Sequence, residues 1–156
     1  MSELSLREAS GELFREVFEG VAPGADGTYF VQGKEAIFDA VRSISAAEAS
    51  RRVAGQPSSI GAHAYHLNYY LSLFNADLRG ESPEVDWEGS WKHQGFDDAS
   101  WAALIADMEA QFAFARAWYV SETPSKESIY SLSNVAHAAY HLGAIRALLP
   151  IVKAIG

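Results

Sequence analysis

Hydrophobic residues recur at helical spacing along several long segments of this 156-residue chain. The clearest stripe extends from Ile60 to Leu78, where apolar side chains return every three or four residues. A similar stripe extends from Trp101 to Tyr119, and another continues through Ile145 near the C-terminus. Runs of β-branched residues are nearly absent. The pattern therefore predicts an all-α protein with three long amphipathic helices.

Capping and turn residues indicate where these helices begin and end. Pro57-Ser58-Ser59 opens the first long helix, and Gly80 ends it. Residues 81–95 then form a connection long enough for a crossover between helices rather than a hairpin. The remaining boundaries are Asp97 or Asp98 as the N-cap of the second long helix, a start between Pro124 and Ser131 for the last helix, and Pro150 at its end or at a kink.

Two further helical segments lie in the first third of the chain. Ser5-Leu6-Arg7-Glu8 has the form of a capping box and predicts a helix of about four turns that ends near Gly20. A second pattern begins near Gly33 and ends at another capping box, Ser45-Ala46-Ala47-Glu48, after which a short helix runs to Gly55. With the three long helices, the segment from Gly33 predicts a four-helix bundle. The N-terminal helix is expected to pack on the outside of this bundle.

The charge and composition of the chain restrict its function. Twelve Lys and Arg oppose 20 Asp and Glu, which gives a formal net charge of −8, and the chain contains no cysteine. The negative charge argues against binding to nucleic acid, because that affinity depends on basic residues that neutralise phosphates. We find neither an uncharged apolar stretch of about 20 residues nor the form of a signal peptide, and we expect a single cytoplasmic domain without membrane contact. Without thiolates, any metal must be bound by nitrogen and oxygen ligands.

The chain has five histidines, and two of them, His137 and His141, are spaced to share one face of the last helix. Two imidazoles one helical turn apart can bind one metal ion. Buried histidines also occur without a metal, because a carbonyl or hydroxyl group can satisfy the ring nitrogens. A second histidine pair on another helix favours the metal, since several facing imidazoles would otherwise compete for donors. The stripe expected to face the bundle interior contains Tyr130, Asn134, His137, His141, Ile145 and Leu148.

The second pair, His63 and His66, lies on the first long helix. Around the helix axis, His63 lies about 60° from the centre of the apolar stripe and His66 about 120° from it. Periodicity therefore favours His63 as the inward residue. A bundle helix contacts two neighbours, however, so the wider arc is also buried and spacing leaves both histidines as candidates.

The two histidine segments resemble a known superfamily. The segment from Ser59 to Leu67, SIGAHAYHL, is similar to the start of the second bundle helix in the DinB/YfiT-like superfamily of metal-dependent proteins. The segment from His137 to Ile145, HAAYHLGAI, resembles the H-x-x-x-H-x-G-Q-I pattern of the fourth helix in that superfamily. The resemblance covers the bundle, about residues 33–149.

This resemblance implies an up-down-down-up four-helix bundle, with residues 1–20 as an additional N-terminal helix. It also implies one divalent ion, with zinc or nickel as the expected metal, held by His66, His137 and His141. His63 then supports a ligand or lines the pocket.

A three-histidine site leaves at least one coordination position of the ion open, which is typical of a catalytic metal. The superfamily includes metal-dependent hydrolases and thiol-dependent transferases, so the ion is expected to activate either water or a low-molecular-weight thiol. Ala138 stands where H-E-x-x-H proteases carry their glutamate base, which argues against that class. Ala144 replaces the usual Gln and Leu142 the common Arg, which removes two polar groups beside the ion. The alternative function is a non-catalytic bundle that binds a metal or a small ligand.

Other residues are candidates for the surroundings of the site. Tyr70, Asn134 and Tyr140 are expected, with His63, to line a pocket for a small-molecule substrate. Arg146 can contact an anionic substrate, although a lone Arg near a helix C-terminus more often interacts with the helix dipole. The N-terminal helix can bury its apolar side on a second subunit, so the sequence also allows a homodimer. Aromatic residues after Gly80 form either a lid or a cover for the open end of the bundle; these are Trp87, Trp91, His93 and Phe96, of which His93 is expected on the surface.

Overall fold

The computed structural model describes residues 4–25, 28–121 and 129–155. Within those three ranges it contains six α-helices and no β-strand, which confirms the predicted all-α fold class. The helices are, in chain order, α1 (Leu6–Glu19), α2 (Ile37–Arg42), α3 (Ala46–Ala49), α4 (Ile60–Leu78), α5 (Asp98–Tyr119) and α6 (Ile129–Ala154), with a 3-10 turn at Gly89–Trp91 between α4 and α5.

Four of these helices are long and pack around one hydrophobic core. Helix α1 packs against α5 and α6, and α4 packs against the same two helices. The largest fully buried apolar side chains come from all four, and include Phe14, Leu67, Met108, Tyr119 and Ile145. Because each such side chain contributes about 1.5–3 kcal/mol on burial, this shared core is the main source of stability.

Helices α4 and α5 run in the same direction. Asn68 of α4 donates a hydrogen bond to Asp107 of α5 at 2.6 Å, and Asn75 donates to the backbone oxygen of Gln111 at 2.9 Å. Residue numbers therefore rise together along the two helices. The chain must return along the bundle between them, and the long connection predicted at 81–95 makes this return.

Helix α6 runs opposite to α4. The Tyr70 hydroxyl donates to Ser133 Oγ at 3.1 Å, whereas His63, earlier on α4, contacts His141, later on α6. The antiparallel packing places the histidine segments of the two helices at the same level of the bundle.

Helix α1 is an internal part of the bundle, which differs from the expectation that it packs on the outside. Its Phe14 ring lies 5.0 Å from that of Tyr119 and its Phe18 ring 5.0 Å from that of Phe112, so α1 and α5 run in opposite directions. Both phenylalanines are buried. Gly11 allows this close approach, because a Cβ there would lie 2.8 Å from the Cβ of Tyr119. The sequence predicted one apolar face for α1 but not which helices that face meets.

The segment from Gly33 to Gly55 contributes two short helices instead of a fourth long one. Helix α2 has six residues and α3 has four, so the predicted extension of α3 to Gly55 is wrong. The capping box at Ser45 is present. After α3, Ser50 Oγ accepts a hydrogen bond from the Phe96 N–H at 2.7 Å, which ties the chain to the segment before α5.

Helix α6 continues past Pro150, which the sequence placed at its end or at a kink. Pro150 lies inside the helix, which reaches Ala154. Val152 is fully buried, so core packing compensates for the hydrogen bond that the proline cannot donate. The predicted start of this helix falls partly in 122–128, outside the described residues.

Helix α6 is also long and apolar enough to cross a membrane, judged by length and composition alone. About a third of its most apolar stretch, 33%, is buried inside the protein. It packs against α1, α2 and α4, and Ile145 and Leu148 lie in the shared core. Core helices of globular proteins have the same length and composition, so this property is weak evidence for a membrane span.

A buried carboxylate joins α1 to the segment that follows it. Glu16 is 2% exposed and accepts hydrogen bonds from the backbone N–H groups of Tyr29, Phe30 and Val31 at 2.7–2.9 Å. Burial opposes ionisation of this carboxyl, but the three N–H donors outweigh burial and lower the pKa of Glu16. The charged carboxylate therefore fixes the chain between α1 and α2.

We predict that Glu16→Gln lowers the free energy of unfolding by about 3 kcal/mol, because the amide turns an NH₂ group toward backbone donors. Urea unfolding followed by circular dichroism measures the change. Glu19→Gln is the matched control, since Glu19 is exposed on the same helix, and it should change stability by less than about 0.5 kcal/mol. Equal losses in the two variants would contradict the role given to Glu16.

Candidate metal centre

The structure brings together His66 from α4 and His137 and His141 from α6. One ring nitrogen of each residue lies within 4.8 Å of the corresponding nitrogens of the other two. The ring centroid of His66 lies 5.3 Å from the ring centroid of His137 and 5.2 Å from that of His141. The three histidines implied by the family resemblance therefore form one cluster.

Specific nitrogen atoms face one another in this cluster. His141 Nε2 lies 3.2 Å from His137 Nε2, and His141 Nδ1 lies 3.1 Å from His63 Nδ1. His66 Nδ1 contacts Ser90 Oγ at 2.8 Å. His63, which periodicity favoured as the inward histidine, is thus also part of the cluster. It contacts Nδ1 of His141, the ring nitrogen that points away from His137. Both His63 and His66 are buried, since α4 has neighbours on both sides.

Burial keeps these imidazoles uncharged. Loss of solvation lowers the pKa of His63 and, together with the nearby His63, that of His66. Burial and the neighbouring His66 lower the pKa of His137 to about 4. Burial and the three other histidines lower the pKa of His141 to about 2. Near pH 7 all four rings are neutral, so each has one nitrogen with a free lone pair.

The predicted pocket residues differ in their distance from the cluster. The Tyr70 ring lies 4.0 Å from that of His137, while its hydroxyl bonds to Ser133. Tyr140 is 63% exposed, with its ring 5.1 Å from that of His141, so it lies at the outer edge. Asn134 is buried one turn before His137 on α6. Tyr70 therefore has the most direct contact of the three.

The tryptophans of the connection between α4 and α5 lie against the histidines. Trp91 stacks on His66 with ring centroids 4.1 Å apart and planes 18° apart, and Trp87 packs on Tyr70 at 6.1 Å. His93 is exposed and stacks on Tyr65 at 4.6 Å, away from the cluster. The connection thus covers the histidines with its tryptophans, and His93 belongs to another face.

A cavity of about 190 Å³ opens beside the cluster. Its lining includes Tyr70 and Trp87, the rings that contact His137 and His66. The remaining lining residues are Leu73, Phe74, Asp77 and Tyr130. The cavity is of a size that suits a small molecule or part of one.

The structure gives Arg146 a different partner from the one considered in the sequence analysis, and it adds Ser90 as a residue of the site. Arg146, considered as an anion contact, forms an ion pair with Glu35 at 2.5 Å. Ser90 was missed, because a serine in a connection has no periodic pattern that relates it to a histidine on α4. Its burial is the signal that reveals it, since Ser90 is 4% exposed.

Comparison of the chain with protein-family models, curated proteins and solved structures gives no match. The family resemblance therefore rests on the two histidine segments of the sequence.

We predict that the metal-free protein loses stability as the pH falls below about 6.5, the value for an unfolded histidine. Because burial lowers the pKa values of His137 and His141, the unfolded chain binds more protons than the folded one in this range. Urea unfolding between pH 7.5 and 5.5, with a chelator present, measures the slope. His137→Ala should flatten it, and His93→Ala should leave it unchanged. A wild-type slope that His137→Ala does not alter would contradict this account.

Proposed function

We propose that this protein is a metal-dependent enzyme of the DinB/YfiT-like type, in which His66, His137 and His141 bind a divalent ion, zinc or nickel. The observation that carries the proposal is the convergence of three neutral imidazoles from α4 and α6. The proposed substrate is a small molecule, and the proposed location is the cytoplasm.

The donor set fits a metal ion. Nitrogen ligands at about 2.0–2.1 Å from a tetrahedral ion lie roughly 3.3 Å apart. His137 Nε2 and His141 Nε2 are already 3.2 Å apart. Both are ring nitrogens of uncharged histidines, which is the state that metal ligation requires. In addition, His137 Nδ1 is buried without a hydrogen-bond partner among the described residues, so the polar contact of this ring is the one between its Nε2 and His141 Nε2.

The helix directions support the family assignment. Helix α1 runs opposite to α5, α4 runs parallel to α5, and α6 runs opposite to α4. Taken in chain order, these directions correspond to up-down-down-up if α1 is the first bundle helix. In this proposal, residues 1–20 are therefore part of the four-helix bundle rather than an addition to it.

When bound, the ion would supply Lewis-acid activation of water or of a low-molecular-weight thiol, making either a better nucleophile. The chain's own residues hold the ligands. In the tautomer that leaves His141 Nε2 free as a ligand, the Nδ1–H of His141 would donate to His63 Nδ1, which lies 3.1 Å away. The rings of Tyr70 and Trp91 pack on His137 and His66 and exclude water from those faces.

A second candidate function is a bundle that binds a metal or a small ligand without catalysis. The observation that favours it is the cover of aromatic rings over the histidines, since Trp91 stacks on His66 and Tyr70 on His137. A homodimer is compatible with either function. The two candidates differ in whether an exogenous molecule can reach the ion.

We predict that protein purified without a histidine tag binds about one zinc or nickel ion per chain, because three neutral imidazoles converge. Elemental analysis after dialysis against the metal and desalting measures the stoichiometry. His137→Ala should reduce it to near zero. The matched control is His93→Ala, which removes a histidine outside the cluster and should retain the ion. A wild-type value near zero, or one unchanged by His137→Ala, would contradict the metal site.

We also predict that the metal-loaded protein consumes small electrophiles, and that the dependence on thiol identifies the reaction class. The measurement compares substrate loss with and without a panel of low-molecular-weight thiols. Turnover without thiol indicates a hydrolase, and turnover that needs a thiol indicates a transferase. Loaded wild-type protein that is inactive in both conditions would favour the non-catalytic candidate.

A further inference from the structure

Ser90 is a buried hydroxyl that contacts both a histidine of the cluster and the backbone of its own turn. It lies in the 3-10 turn Gly89–Trp91 and is 4% exposed. Its Oγ lies 2.8 Å from His66 Nδ1 and 2.7 Å from the backbone oxygen of Trp87.

These two contacts determine which atom carries the proton. A hydroxyl has one hydrogen to donate, and the carbonyl of Trp87 can only accept. Ser90 therefore donates to Trp87 and accepts from the Nδ1–H of His66. A neutral imidazole has one N–H, so the lone pair of His66 must be on Nε2. This is the nitrogen left for the other histidines and for an ion.

The turn that carries Ser90 is itself anchored to α4. The Gly89 N–H donates to Asp86 Oδ1 at 2.7 Å, and the Asp86 N–H donates to the Tyr69 hydroxyl at 2.8 Å. Trp91 holds the same imidazole from its face, with ring centroids 4.1 Å apart. His66 is thus fixed at its edge by Ser90 and on its face by Trp91, and both come from the connection rather than from α4.

We infer that Ser90 is a positioning residue that holds His66 in the tautomer with a free Nε2 and so prepares it to bind a divalent ion. This inference rests on the proposed function. Partners of this kind fix the orientation and tautomer of ligating histidines, and their loss typically weakens metal affinity by about 10–100-fold.

The first test is the tautomer of His66 in the metal-free wild-type protein, measured at pH 8 by long-range ¹H–¹⁵N correlation with ¹⁵N-labelled histidine. We expect the proton on Nδ1. In Ser90→Ala, a population with the proton on Nε2 should appear. If His66 of the wild-type protein carries its proton on Nε2, this result alone overturns the inference. Neither a variant nor a metal-binding measurement is needed.

The second test is zinc affinity, measured by competition with a chromophoric chelator. Ser90→Ala should raise the dissociation constant by about 10–100-fold, and Ser90→Thr, which keeps the hydroxyl, should restore binding to near the wild-type value. Ser10→Ala is the matched control, because Ser10 is also buried and its hydroxyl bonds to Leu6 O within α1. Circular dichroism verifies that each variant is folded.

The outcomes distinguish a failure of the proposed function from a failure of the role given to Ser90. Wild-type protein that binds no zinc overturns the proposed function. Wild-type protein that binds zinc, with an affinity that Ser90→Ala does not change, overturns only the role of Ser90. Weakened binding in Ser90→Ala that Ser90→Thr fails to restore also overturns that role, since loss of packing rather than of the hydroxyl would then explain the effect.

Discussion

Four uncharged imidazoles lie between two antiparallel helices, three of them buried and His137 half-buried, and they are the constraint on which the site depends. Each ring needs a partner for its N–H group, because an unsatisfied buried donor costs about 1–3 kcal/mol. His141 is at the centre, with one nitrogen toward His63 and the other toward His137. His66 finds its partner outside the helices, in Ser90. The need of each imidazole N–H for a hydrogen-bond partner therefore links the connection between α4 and α5 to the histidines, as it links α4 to α6.

Local features of the fold follow from the sequence because their causes are local. The N-caps at Ser59 and Asp97 depend on a side chain and backbone groups within three residues, and both are present at the predicted positions. The role of α1 depends instead on distant partners. Its apolar face predicts burial, but Tyr119 and Phe112 are about a hundred residues away, and nothing in the hydrophobic period of α1 identifies them.

The histidine cluster also combines features that the local sequence predicts with features that depend on distant residues. Spacing placed His137 and His141 on one face of α6, and the family resemblance added His66. Angular position on α4 favoured His63, yet His63 and His66 are nearly equally buried, at 8% and 7% exposure. A helix with neighbours on two sides buries an arc wide enough for both. What distinguishes the two is the direction of their nitrogen atoms, which depends on the neighbouring helix and connection and has no periodic pattern.

The parallel arrangement of α4 and α5 has a consequence for how such a site can change. A chain that links two parallel helices must travel back along the bundle, and here the returning segment passes over the histidines and supplies Ser90 and Trp91. The histidines belong to the core helices, whereas the side chains that contact His66 from the connection, Ser90 and Trp91, belong to a segment largely outside the core. Substitutions in this segment can change the orientation of His66 without disturbing helix packing. Natural or laboratory selection can therefore alter the site while the bundle stays the same.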